Sequence, residues 1–311
     1  MRFETDRIAF LFLAALCTAA LVVSGCLKSG AALSHPPAGS QRIVSLAPSV
    51  TETLFAIGAG DEVVGVSQYC DYPPAVLKLP KVGSFLTPNI EAIVALRPTL
   101  VIGLVTSSDL REIHAVRAMG IPTLMINDDS IAEIEDTIQR IGDRVGRTDE
   151  ASRLVSGIRY HVAAIAEQLK GVPTRRVLMV VGHQPMVAVG RGTFLDELLK
   201  LAHATNIADA SWQPWPQLGV EYIIASRPEV ILDGQMGTDP LTPARFWSRY
   251  PSLPAVKDHR VYGYPQNPTL HSGPRIWQTL EILARLIHPE AFRERTAAAT
   301  LMTSPATGTA Q

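Results

Sequence analysis

The chain has 311 residues, 47% hydrophobic and 18% charged, with a formal net charge of −1. That length suits about two domains, each able to bury a core of its own. The near-zero charge excludes a nucleic-acid partner held by electrostatics, and three cysteines are too few for a disulfide scaffold.

Residues 1–25 read as a secretory signal, because Arg2 and Arg7 precede an apolar run from Ile8 to Val23 and Ser24-Gly25-Cys26 follows. A Cys directly after Ser-Gly resembles the lipobox of bacterial lipoproteins. On that reading Cys26 becomes the mature N terminus and carries lipid chains, each buried methylene adding about 0.8 kcal/mol to the anchor. The protein is then extracytoplasmic, in a periplasm or at a cell surface, and lipid-anchored to a bacterial membrane. Residues 26–40 are small, polar and proline-containing, the composition of a tether.

An N-terminal lobe is expected over residues 41–147. Arg42–Leu46 reads as a strand, Ala47-Pro48-Ser49 as a turn, and Thr51-Glu52 opens a helix that Gly58 ends. Glu62–Val66 is the next strand, followed by an aromatic, proline-stiffened loop, Ser67 to Pro74. Strand Leu100–Leu104, a helix over 109–119, strand Pro122–Ile126 and a helix to about Val145 complete a β-α-β-α alternation, the pattern of a parallel sheet covered on both faces. Apolar residues then recur at helical spacing from Thr148 to Leu169, roughly 33 Å of helix at 1.5 Å per residue. A helix of that length over 148–171 would join two lobes as a stiff strut and permit only modest closure.

A C-terminal lobe over 172–294 repeats the programme. Strand Arg176–Val181, loop Gly182–Pro185, helix Phe194–Ala202, strand Val230–Leu232, a helix over 242–250, strand Arg260–Tyr264, a loop over 267–275 and a helix ending near His288 follow in order. Residues 295–311 lack a pattern and read as a disordered tail. Within this order one motif occurs twice: Ile90 to Ile102 and Val220 to Leu232 share apolar-Glu-x-Ile-apolar-Ala-x-Arg-Pro and a closing apolar run. Each copy reads as a short helix stopped at Arg-Pro and followed by a buried strand. The fold class is therefore α/β, two Rossmann-like lobes joined by a single long helix with a ligand cleft between them.

No Walker-type phosphate loop, Gly-x-Ser-x-Gly elbow or metal-spaced Cys/His cluster occurs, which argues against an enzyme. The informative residues are aromatics in loops after strands: Tyr69, Tyr72, Phe85, Trp212 and Trp215. Ligands of open α/β sheets bind at the carboxyl ends of strands, and aromatic walls suit a large, flat, partly apolar ligand. His183 and His271 fall on the same side, either as donors or axial ligands to a metal macrocycle or as plain loop histidines. Cys70 reads as a buried structural thiol. Glu91 and Glu221 open their helices, either complementing the helix dipole or forming matched acidic knobs for a basic partner.

The stretches RIVSLAPSVTETLFAIGAGDEVVGVSQYCDYPP, NIEAIVALRPTLVIG and QPWPQLGVEYIIASRPEVIL closely resemble the periplasmic vitamin B12-binding proteins. These belong to the substrate-binding proteins of ABC importers for cobalamin, haem and ferric siderophores. The resemblance covers about residues 41–290. It implies that the protein binds cobalamin or a related corrinoid as transported ligand, with no cofactor of its own, and hands it to a permease dimer with its ATPase subunits. It further implies that Tyr69, Phe85 and Trp215 line the corrinoid and that Asn267, Pro268, Thr269, Leu270 and His271 complete the pocket. Glu91 and Glu221 match the acidic residues that dock onto permease arginines. Leu104 and the loop at His183 stand where further aromatics can occur. A haem binder would use Tyr69 or His183 on iron, and a siderophore binder would want Arg191 or Arg275 in the cleft.

Overall fold

A computed structural model describes residues 41–105, 111–234 and 242–292. The expected signal, Cys26, the tether and the C-terminal tail lie outside these residues. Four strands, β1 (Ile43–Ser45), β2 (Val63–Val66), β3 (Leu100–Leu104) and β4 (Thr123–Ile126), form a wholly parallel sheet in the order β2-β1-β3-β4. Five more, β5 (Arg175–His183), β6 (Met186–Ala188), β7 (Ala204–Asn206), β8 (Val230–Asp233) and β9 (Val261–Gly263), form a second sheet. There β7, β5, β8 and β9 run parallel, and β6 folds back antiparallel on the far end of β5. Strip off β6 and the second sheet has the strand order of the first.

The duplicated motif is repeated down to single hydrogen bonds. Ile90–Ala95 and Val220–Ser226 are the two short helices, with Glu91 and Glu221 exposed in their first turns and Ile93 and Ile223 buried. Arg97 and Arg227 both take the left-handed conformation, at φ 48° and 49°. This turn stops the helix directly before proline, which cannot donate a further backbone bond. The guanidinium of Arg42 donates to the carbonyls of Leu96 (2.8 Å) and Arg97 (3.3 Å), and that of Arg176 donates to Arg227 (3.0 Å). An arginine at the start of the first strand of each half thus closes the exposed helix end that the Arg-Pro turn creates.

The spacing-predicted long helix runs Thr148–Gln168 and buries Ala151, Val155, Ile158 and Ile165. It packs against helix Ile131–Val145 of the first half and helix Ile276–Ile287 of the second. The first contact is close: a Cβ on Gly142 would lie 2.4 Å from that of Ala151. One cluster of buried side chains continues from Ile43 and Leu54 through Ile138 and Ile158 to Val177, Leu198 and Leu283. Separate clusters fill the other face of each sheet. The two sheets therefore share one core beneath the long helix.

Several elements differ from their expected bounds. The first helix starts at Pro48, three residues early, because proline at the first helical position loses nothing by lacking an N–H. Strand β5 runs through the expected loop to His183, since β6 supplies it with a partner. The expected helix over 242–250 spans Thr242–Trp247, and loop 267–275 begins with a helical turn, Gln266–Thr269. Strand β7 and the helical turn Pro254–Lys257 are each too short to show a period in the sequence.

His288 ends the last helix fully buried, its Nε2 donating to the His203 carbonyl at 3.3 Å. Burial pushes its pKa below the usual value, and the Arg175 guanidinium adds to the shift. The unfolded chain therefore takes up this proton first. Stability is full above the ordinary histidine pKa of about 6.5 and falls as pH drops below it. Thermal midpoints measured from pH 7.5 to 5 should fall less steeply in His288→Gln than in the parent protein.

Candidate ligand-binding site

The first wall is built where β2 ends. Backbone bonds from Gln68 to Gly83 (2.8 Å) and from Val82 to Val66 (3.0 Å) lash the Tyr69 segment to the Phe85 segment. Ser84 Oγ accepts the amides of Leu86 (3.2 Å) and Thr87 (2.9 Å), a side-chain turn that thrusts Phe85 outward. Tyr69, 50% exposed, and Phe85, 37% exposed, stand with ring centroids 5.7 Å apart, so two large aromatics face solvent on a backbone pinned beneath them. Cys70 lies buried below, its sulfur 3.1 Å from Thr51 Oγ1, and burial raises its pKa. It is the structural thiol expected and no candidate ligand.

On the second sheet, the hairpin β5–β6 carries a ribbon of residues 214–218. Gly190 donates to Pro214 (2.8 Å), Ala188 to Pro216 (3.0 Å) and Leu218 to Met186 (3.0 Å). This ribbon holds Trp215, 47% exposed. Only glycine fits at 190, because a Cβ there would meet the Gln213 carbonyl oxygen at 2.2 Å. Beside the hairpin lies a cavity of about 710 Å³ lined by Val181, His183, Pro185, Phe246 and Arg249 among others, within the size range of small-molecule sites.

His183 is engaged rather than offered. Its Nε2 lies 2.8 Å from Asp233 Oδ2, which also accepts from Trp247 Nε1 at 2.7 Å, and Phe246 covers its ring at 3.9 Å between centroids. Neither Asp233 nor Phe246 was picked out from sequence. An aspartate closing the apolar run Val230–Leu232, at the carboxyl end of a buried strand, was the available signal.

The loop after β9 divides. Asn267, Pro268, Leu270 and His271 are half-buried, while Thr269 is fully buried and turns away from the loop surface. His271 Nδ1 lies 2.8 Å from Glu52 Oε1. Arg275, named as a possible anion receptor, is 12% exposed and is clamped by the same carboxylate, with its Nε 2.8 Å from Glu52 Oε2. Arg191 likewise forks onto Asp209 at 2.9 and 3.0 Å and lies over the Trp212 ring. Glu52, by sequence a plain helix-opening residue, is 2% exposed, because the early helix start turns it inward. Asp128 accepts from Ser49 (3.2 Å) and from Ser272. Burial raises its pKa, against the pull of these two hydroxyls. X-Pro bonds at Tyr72-Pro73, Gln184-Pro185 and Asn267-Pro268 are cis, one in each of three loops of this site.

Residues 43–268 match the model of a family described as periplasmic binding protein. The chain is 34% identical over 263 residues to YvrC, an uncharacterized ABC transporter substrate-binding lipoprotein of Bacillus subtilis, covering 82% of both chains. It is 28% identical over 224 residues to a vitamin B12-binding protein of Yersinia pestis, covering 72% of this chain and 80% of the other. The apo periplasmic heme-binding protein RhuT of Roseiflexus shares 29% identity at a TM-score of 0.73, covering 81% of this chain and 100% of that one. The chain belongs to the periplasmic binding protein family. It is a substrate-binding protein of ABC transport and carries a transported ligand instead of catalysing a reaction.

Gly190→Ala should displace the Trp215 ribbon and lower stability by about 1–3 kcal/mol, the usual range for overpacking. Denaturant unfolding and Trp215 fluorescence would both register it.

Proposed function

We propose that this protein binds cobalamin or a related corrinoid and delivers it to the permease dimer of an ABC importer and its ATPase subunits, while lipid at Cys26 anchors it outside the cytoplasm. The observation that carries the reading is the exposed Tyr69–Phe85 pair at the end of β2, on loops held by backbone bonds. Exposed flat rings on a stiff support suit a broad, partly apolar planar ligand. Trp215 offers a third such surface on the second sheet.

In cyanocobalamin both axial positions of the cobalt are already filled, by cyanide and by the molecule's own base, so the protein need supply no metal ligand. That agrees with His183, whose Nε2 is directed at Asp233 and whose ring Phe246 covers. It agrees also with Arg191 and Arg275, which are paired with Asp209 and Glu52 and do not stand ready for the carboxylates of haem or of a siderophore. Haem is the second reading, favoured by the half-exposed Tyr69 phenol as an iron ligand and by the likeness to a heme-binding protein.

Titration of the purified protein with cyanocobalamin and with haem, followed by calorimetry and absorbance, tests the reading. One-to-one cobalamin binding weakened about tenfold or more by Tyr69→Ala or Trp215→Ala is expected, since stacked rings contribute about 0.5–1.5 kcal/mol beyond their buried area. Failure to bind cobalamin, with a haem Soret shift lost in Tyr69→Ala, would move the protein to haem. For the permease, Glu91→Arg and Glu221→Arg should leave ligand affinity within about twofold while sharply reducing uptake through the reconstituted importer, as reversed rim charges disfavour docking.

A further inference from the structure

Five side chains join the two candidate ligand loops. Buried Glu52, on the first helix, accepts Arg275 Nε at 2.8 Å and Nη2 at 2.5 Å. Arg275 Nη2 also donates to Asn267 Oδ1. The amide nitrogen of Asn267 then donates to Asp71 Oδ1 at 2.5 Å. Tyr72, next to Asp71, closes the ring by lying under the Arg275 guanidinium, 3.9 Å from ring centroid to Cζ. Asp71 and Tyr72 follow Tyr69 in the loop after β2, whereas Asn267 lies 196 residues away, beyond β9.

We infer that Arg275 and Asn267 are positioning residues that weld the Tyr69 loop of the first sheet to the 267–271 loop of the second into one preformed wall. The inference rests on the reading that these two loops bear the ligand. Each donor and acceptor has a distinct task. Glu52 fixes the guanidinium from beneath; Tyr72 fixes it from one face. The guanidinium orients the Asn267 amide by holding its oxygen, so that only the nitrogen faces Asp71. A wall assembled in this way keeps its shape without ligand, which spares binding the entropy of ordering two loops. It also leaves the arginine of this wall neutralised, so the surface offered there is aromatic ring and amide rather than cation.

A reciprocal exchange tests the link. Asn267→Asp alone sets two carboxylates against each other across the loops. Asp71→Asn together with Asn267→Asp rebuilds the pair with the donor on the other side, and the new Asp at 267 still accepts from Arg275. Backbone amide exchange over residues 266–272 reads the wall itself, without ligand, and cyanocobalamin affinity reads its use. The single Asn267→Asp variant should speed exchange and weaken cyanocobalamin, each by about three- to tenfold, the scale of one lost hydrogen bond. The double variant should return both to near the parent values. Unchanged exchange in the single variant, or no recovery in the double, would overturn the inference. Recovery of exchange without recovery of affinity would overturn the positioning role by making Asn267 a direct ligand contact. Should the parent protein not bind cyanocobalamin, the ligand reading fails while the exchange measurement still decides the weld.

Discussion

The carboxylate of Glu52 is the constraint on which the site's geometry depends. Its side chain is 1% exposed, yet it sits in the first turns of a helix and must be compensated from outside that helix. The partners come from more than 200 residues later in the chain, Arg275 by a two-point fork and His271 by one nitrogen. Removing one partner of such a buried pair typically costs about 3–5 kcal/mol, because the survivor is left uncompensated in a low-dielectric site. The segment 267–275 is therefore held against the first half of the molecule by an interaction that cannot be given up cheaply. Ser272 and Ser49, both donating to Asp128, reinforce it.

Around this fixed point the rest is a duplication. Two sheets share one strand order, two Glu-helices end in left-handed arginines before proline, and two strand-leading arginines close those helix ends. Duplication places Glu91 and Glu221 at matched positions in the first turns of their helices. The halves also share one buried cluster beneath the long helix. A common core resists the large rigid-body closure seen where two domains hang from flexible strands.

Much of the fold was legible because period and punctuation are strong where elements are long. The helix Thr148–Gln168, the Arg-Pro stops and the final helix were all read from spacing, and so was the α/β alternation. The aromatic positions Tyr69, Phe85 and Trp215 were legible as well, since large rings in proline-rich loops have no core to enter. What escaped is pairing at long range. Glu52 looked like a helix opener until Pro48 moved the start by three residues and turned it inward. Arg275 and Arg191 looked like free cations until their carboxylates arrived from Glu52 and Asp209. His183 looked available until Asp233 and Phe246 engaged it. Local sequence carries the type of a side chain but not its partner 50 or 223 residues away.

The most direct measurement is a crystal structure of the protein soaked or grown with cyanocobalamin. One corrin ring is expected to lie against Tyr69 and Phe85 and to reach Trp215, with Arg275 still forked onto Glu52 and no protein atom on the metal. A ring bound elsewhere, or Arg275 released from Glu52 to meet the ligand, would contradict this.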